Sequence, residues 1–286
     1  MKKVSLFLVI VCCLGFIAFQ FKPVKQTVVA VVTKPSYVNN TGMTVKSRVK
    51  IPEGFSRVQY SQGSFHEYIR NYALKPSGSK VINYDGSPYF YQLGHIGVLE
   101  VPVPKNGLQQ CADALIRLRS EYLWDKGLKH KIGFNFTSGH YCSWSKYAEG
   151  YRPKINGNKV AFHKTAKANH SKDNFYKYLN LIYTYSGTIS LYHEMPKVKS
   201  IDKLQIGDML IIGGSPGHVV MIADVIKNEN GEKRFLLLQG NTPAQSVHLL
   251  KNLDNSNLSP WYELKLNSEI SIPGYTFASS KFIRFK

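Results

Sequence analysis

The chain is short of acid, short of cysteine and nearly free of long apolar runs. Its 286 residues carry 18 Asp+Glu against 37 Lys+Arg, a formal charge of +19, and no acid occurs before residue 51. Only one apolar stretch is of membrane-segment length, which excludes a polytopic membrane protein. Hydrophobic residues make up 43% and charged residues 19%, so wholesale disorder and a coiled coil are excluded as well. Four cysteines are too few for a disulfide-dense scaffold, and two of them, Cys12 and Cys13, fall in the N-terminal apolar run. Cys111 and Cys142 remain, and a bridge between them is the plain structural role open to both in an oxidising compartment. No CxxC pair supports structural zinc, and His140, His163, His170 and His193 show no HxxxH or HExxH spacing. GxGxxG and GxxxxGK[ST] are both absent. The expectation is therefore no metal and no cofactor.

The N-terminus reads MKKVSLFLVIVCCLGFIAFQFKP. Lys2 and Lys3 before an apolar stretch match a secretory signal or a retained anchor over residues 1–21. Cys12 and Cys13 raise lipid attachment, but Val11 stands where such a site has a small residue. Residues 22–50 are basic, with two prolines and no helical period, and are expected to form a linker. Eight basic residues lie in this first stretch, leaving 29 basic and 18 acidic in residues 51–286. That region has no repeat or low-complexity tract and is expected to be a single domain. The excess charge of an exported domain points to anionic envelope polymer or lipid rather than to nucleic acid, for which no module is present.

Within the domain, Ser64 caps an expected helix with Phe65, Ile69 and Tyr72 on one face. VINYDG (81–86) and YFYQLGHIGVLEV (89–101) read as strands. LQQCADALIRLRSEYLW (108–124) and FYKYLNLIYTYS (175–186) are amphipathic helices. Three β-like runs follow: MLIIG (209–213), HVVMIADVI (218–226) and RFLLLQG (234–240), the last two joined by a turn at Asn230-Gly231. Helices first and antiparallel sheet after make an α+β pattern.

GGSPGHVVMIADV (213–225) is the most informative stretch. His218 opens a β-branched strand directly after a glycine-rich loop, a rigid position for a general base. Cys111 lies in the first turn of the strongest helix, where unpaired N–H groups and the helix dipole favour thiolate. Gln239 ends the next strand and Asn241 follows it, so an amide is available to orient the imidazole. The plain alternatives are a strand-end histidine bonded to backbone and a small cysteine on an apolar helix face.

This order of Cys, His and amide resembles the papain-like superfamily of cysteine peptidases and amidases, above all its NlpC-type and CHAP-type cell-wall hydrolases. Those carry GD before a GH that opens an apolar strand, matched by Gly207-Asp208 and Gly217-His218. Gln109-Gln110-Cys111 meets the nucleophile context in part, and the 107 residues from 111 to 218 require an insertion relative to compact members. The chain from about Gly54 also looks like an uncharacterised family of exported proteins in Bacteroidetes-type bacteria, a domain of unknown function. The stretches that carry this likeness include LQQCADALIRLRSEYLW, FNFTSGHYCSWSKYAEGYR and IGDMLIIGGSPGHVVMIADV. The resemblances imply a papain-like fold, a helical N-terminal part on an antiparallel sheet. They imply Cys111 as nucleophile, His218 as base and Gln239 as orienter, acting on an envelope peptide or peptidoglycan-like amide. Asn241, Arg119 and Trp144 are candidates for substrate contact. A non-catalytic envelope binding protein with the same fold is the competing expectation. His248 is a strand residue placed near Gln239, and Asp224 shares the His218 strand but sits far along it.

Overall fold

The computed structural model describes residues 37–286, together with Lys25, Val28 and Val31. The signal or anchor expected over 1–21 and most of the expected linker before residue 37 lie outside the described residues. Residues 37–50 are folded chain rather than tether. Val45, Arg48 and Val49 are fully buried, and Thr44 caps a short helix, α1 (Val45–Arg48), through a capping box with Ser47. Arg48 donates Nε to Gly42 O and its two Nη groups to Ile96 O and Lys75 O, at 2.9–3.1 Å. Backbone carbonyls thus satisfy a buried guanidinium that has the whole domain wrapped around it. A basic, proline-containing stretch gave no sign of this, because the partners are carbonyls contributed by distant residues.

Five more α-helices and a large antiparallel sheet follow among the described residues, a mixed α/β architecture. The other helices are α2 (Phe65–Arg70), α3 (Cys111–Asp125), α4 (Trp144–Ala148), α5 (Lys172–Tyr185) and α6 (Thr188–Glu194). The main sheet takes β1 (Phe55–Arg57) and β2 (His95–Val98) from the first half of the chain. Between these and the rest lie two small hairpins, β3 (Gly133–Asn135) with β4 (Tyr141–Ser143) and β5 (Tyr151–Asn156) with β6 (Lys159–Lys164). The sheet resumes with β7 (Lys197–Val198), β8 (Met209–Ile212), β9 (His218–Asn228), β10 (Lys233–Gln239) and β11 (His248–Leu250). A third hairpin, β12 (Ile270–Ile272) with β13 (Tyr275–Phe277), precedes the last strand, β14 (Phe282–Ile283). The strand order is β2-β11-β10-β9-β8-β14-β7, and β1 pairs with the far half of β9. The helix and strand expectations hold at 65–70, 111–125, 172–185 and 209–240. The stretch 81–86 makes only isolated bridges, and 89–101 contributes four strand residues.

β9 is the axis of the molecule. Nine successive residues, His218–Ile226, are buried, so the strand lacks the in–out alternation of a half-solvated sheet and is covered on both faces. Helices α1, α2 and α3 all contact it. The register against β10 slips by one between Leu236 and Leu237, opposite Ala223, a bulge of the kind that redirects side chains. Asp224 follows this bulge. It is fully buried and meets Arg57 Nε at 2.8 Å and Arg70 Nη2 at 2.7 Å.

The motif Gly207-Asp208 is explained by the fold. The Asp208 carboxylate caps the turn from Gln205 N at 2.9 Å and takes Arg284 in a two-pronged pair, tying the C-terminal strand to β8. It does not reach the cleft described below.

Candidate functional site

The first turn of α3, the β9 mouth and the end of β10 converge on a cleft of about 650 Å³. Its lining includes Cys111, Asp113, His218, Asn241, Tyr183 and Tyr275. α3 begins at Cys111 because the chain before it cannot be helical. Pro102 and Pro104 lead to a turn at Asn106-Gly107, and Gln110 then has an extended backbone. Asp113 Oδ2 accepts from Gln110 N at 3.0 Å, closing the helix end.

Gly240 brings that helix end onto the sheet. A Cβ at this position would lie 2.8 Å from Ala114 Cβ, 3.1 Å from Gln110 O and 3.7 Å from Cys111 Cα. Gly240→Ala is expected to push α3 outward, lowering stability by about 1–3 kcal/mol through overpacking. Thermal unfolding of the variant checks this. The loop before β9 is equally close: a Cβ on Gly217 would meet Thr188 Oγ1 at 2.4 Å and Gly214 O at 2.5 Å.

His218, Gln239 and Asn241 lie where the sequence put them in the chain, but only Gln239 touches the imidazole. His218 Nε2 is 2.8 Å from Gln239 Oε1. Gln239 Nε2 is 3.2 Å from His248 Nε2, and His248 Nδ1 is 2.9 Å from Ser246 O. All three side chains are at most 3% exposed. One assignment of hydrogens satisfies the chain. The Ser246 carbonyl can only accept, so His248 Nδ1 carries the proton. Burial lowers the His248 pKa to about 4, so its Nε2 is a bare acceptor at neutral pH. Gln239 must then turn its NH₂ to His248 and its oxygen to His218, and His218 must donate through Nε2. The Ser246 carbonyl, acting through His248 and Gln239, thereby selects the tautomer in which His218 Nδ1 holds the lone pair.

The register explains the geometry. Gln239 is paired directly with His248 across β10 and β11, so the two side chains project from one face. Gln239→Glu is expected to raise the pKa of both histidines. Its second carboxylate oxygen would face the His248 lone pair, and a proton on that nitrogen would relieve the conflict; histidine NMR titration reads the shift. The His248 environment also gives a pH dependence of stability. Its folded pKa lies below the ordinary 6.5, so the unfolded chain takes up the proton first. The contribution is full above pH 6.5 and is lost as pH falls toward 4, about 3 kcal/mol in all. His95, lowered to about 3 by burial, acts in the same sense, and Asp113 in the opposite one. Comparing wild type with His248→Asn at pH 7.5 and 4.5 by urea unfolding isolates the His248 part.

Cys111 is 7% exposed and free, as is Cys142. The bridge between them is not formed. Burial and the neighbouring Asp113 charge push the Cys111 thiol up to about 11, against backbone N–H groups of Ala112, Val219 and Cys111 that pull it down. The helix-end preference for thiolate is therefore outweighed by desolvation. The contact with Val219 N–H places the sulfur beside the residue that follows His218. Burial lowers the His218 pKa as well, so the resting pair is neutral thiol and neutral imidazole. Tyr275 and Phe277 wall the imidazole, with ring centroids 4.7 and 5.8 Å away. Neither was anticipated, because a short hairpin after residue 270 carries no motif.

Two of the expected substrate contacts are elsewhere. Arg119 donates Nη2 to Lys286 O at 2.7 Å and lies over the Phe65 and Tyr122 rings, lining a different cavity. Its helix position rotates it away from the α3 end. Trp144 is 2% exposed and sits among Trp124, Tyr147, Phe175 and Tyr178 as core. Asn241 does line the cleft, bonded to Thr242 N and to Tyr89 OH. Among the described residues no helix is long and apolar enough to cross a membrane.

No curated protein and no solved structure matches the chain. The family described as a domain of unknown function (4846) matches residues 45–284, a span that begins inside α1 and takes in α3, the cleft and every strand of the sheet. The chain belongs to that family.

Proposed function

We propose that this domain is a papain-like cysteine hydrolase that cleaves an amide or peptide bond. The observation that carries the reading is the ordered relay behind His218, in which Gln239 accepts from Nε2, in a cleft that His218 and Cys111 both line; the reading takes Nδ1 as the base. Cys111 Sγ attacks the amide carbonyl carbon while its proton passes to His218 Nδ1. The oxyanion forms at the N-terminus of α3, where the Cys111 N–H has no intrahelical partner. The side chain of Gln110 accepts from Thr242 Oγ1 at 3.0 Å, which leaves its NH₂ for the same oxygen. Collapse breaks the C–N bond, and the imidazolium returns its proton to the leaving amine. Water, deprotonated by the same nitrogen, then hydrolyses the thioester and frees the carboxylic acid and the thiol.

The lysine-flanked apolar N-terminus and the basic balance of the chain support export to the envelope, by cleaved signal or N-terminal anchor, and a peptidoglycan-like substrate. Digestion of purified muropeptides, with mass analysis of the products, tests the reading. Wild type is expected to release a new amine and carboxylate, and Cys111→Ala none. A wild type that leaves every muropeptide intact would count against a peptidoglycan substrate. The neutral, well-buried thiol favours a second reading, a binding protein of the same fold. Thiol labelling that is indifferent to His218 would select it.

A further inference from the structure

The excess charge of the domain is confined to one stretch of chain. Residues 126–172 hold ten Lys/Arg and a single acid, Glu149, whereas the rest of residues 51–286 hold 19 basic and 17 acidic residues. The stretch carries the β3–β4 hairpin, α4 and the β5–β6 hairpin. It separates the Cys111 helix from the strands of His218 and Gln239. Among the described residues, only Thr137 of this stretch lines the cleft, and no Lys or Arg lines it at all. The charge is therefore gathered on a surface outside the reaction site.

The β5–β6 hairpin sorts its side chains by face. Pro153 with Phe162 and Ile155 with Val160 are cross-strand pairs, and Ile155, Val160 and Phe162 pack on the core. The intervening pairs, Arg152 with His163, Lys154 with Ala161 and Asn156 with Lys159, project from the opposite face. Lys154, Lys159 and His163 are exposed there, as are Lys164 at the end of β6 and Lys167 beyond it. The ion pairs of the stretch lie elsewhere, Glu149 with His170 and Lys172 with Asp125. Arg152 donates Nη1 to Tyr147 O at 2.7 Å and to Tyr151 O at 2.8 Å, and its guanidinium lies over the Tyr147 ring. Carbonyls and a ring hold it, so no carboxylate cancels its charge. Like charges crowded on one ribbon repel each other, a cost that an anionic partner removes.

We propose that the outward face of this hairpin docks the domain on anionic phospholipid headgroups, through Lys154, Lys159, Lys164, Lys167 and Arg152. A built anion site fixes its cations by hydrogen bonds, as the carbonyls around Arg48 fix that guanidinium. The four hairpin lysines are instead long, exposed and unpaired among the described residues, which suits a diffuse layer of phosphates at a surface. Strands of six residues present these charges over about 20 Å of outward-facing ribbon. The choice of lipid over another polyanion rests on the export reading of the N-terminus. Its lysine-flanked apolar run puts a membrane within reach of the domain. With the chain tethered there, the hairpin meets the surface at high effective concentration. None of this depends on the chemistry assigned to Cys111.

Vesicle flotation of the full-length chain tests this. Three proteins are compared: wild type, a hairpin variant with Lys154→Gln, Lys159→Gln and Lys164→Gln, and a control with Lys199→Gln, Lys227→Gln and Lys265→Gln. Both variants lose the same charge from exposed side chains, and equal thermal unfolding checks that the fold is kept. Vesicles of phosphatidylcholine alone read the contribution of the N-terminal run, and all three proteins are expected to bind them equally. On vesicles that also contain phosphatidylglycerol, the hairpin variant is expected to bind about a hundredfold more weakly than wild type, roughly fivefold for each lysine. The control is expected to stay within about twofold of wild type, and added salt should remove the wild-type advantage. A hairpin variant that binds anionic vesicles as wild type does overturns the assignment. So does a control that weakens as much as the hairpin variant, since net charge would then suffice. Wild type that binds soluble polyphosphate but gains nothing from phosphatidylglycerol overturns the choice of a lipid surface.

Discussion

Alanine in place of His218 is expected to lower amide hydrolysis by about 10³-fold, within the range for loss of a positioned general base. The thiol sets the size of this effect. With a pKa pushed up to about 11, roughly one Cys111 in ten thousand is thiolate at pH 7 without help. A base must remove the proton as the sulfur attacks, and His218 is the histidine in the cleft. The fall should appear in kcat with KM little changed, because the imidazole acts on the sulfur rather than on the substrate. Alkylation of Cys111 should slow at least tenfold in the same variant. Activity in the wild type should fall below the His218 pKa, itself lower than 6.5 because of burial, as protonation removes the Nδ1 lone pair. A His218→Ala enzyme that retains a tenth of wild-type activity would sink the base assignment.

Removing Asp224 is expected to produce the largest loss of stability. The carboxylate is fully buried and holds Arg57 Nε at 2.8 Å and Arg70 Nη2 at 2.7 Å, while its Oδ1 also accepts from Val225 N at 2.8 Å. Arg70 is 2% exposed, so it cannot turn to water when its partner is deleted. Asp224→Ala therefore removes the carboxylate shared by two guanidinium groups, which keep carbonyl partners and, for Arg70, Glu67 at 3.3 Å, at a cost of about 3–5 kcal/mol. For a domain of this length that corresponds to a fall of roughly 10 °C in Tm. Tyr60 stacks beneath the Arg70 guanidinium at 5.0 Å and relieves only part of the charge. Asp224→Asn should cost less, since it still accepts from one arginine. The pair ties β1 and α2 to β9, and β9 carries His218 at its other end. Thermal unfolding of both variants checks the order; an alanine variant within 1 kcal/mol of wild type would show that the arginines find other partners.

The sequence alone determined the elements with strong periodicity and strong punctuation. The helix starting at Cys111, the loop ending at Gly217-His218 and the hairpin carrying Gln239 are local features. They follow from apolar spacing, glycine and proline, which act over a few residues. It also named Cys111 and His218, which line one cleft, and Gln239, which bonds the imidazole. What lay beyond it were relations between residues far apart in the chain. Arg48 is buried by carbonyls contributed by distant residues, so a stretch that reads as linker is core. Arg119 and Trp144 have the right chemistry for a cleft, but helix rotation and aromatic packing put them elsewhere. The tautomer of His218 depends on strand register, which sets Gln239 against His248, and on a carbonyl at Ser246. Asp113 looks in sequence like a common helix-capping residue. Only the tertiary structure decides that one of its oxygens, Oδ1, is buried without a partner, because desolvation is a property of everything packed around a side chain.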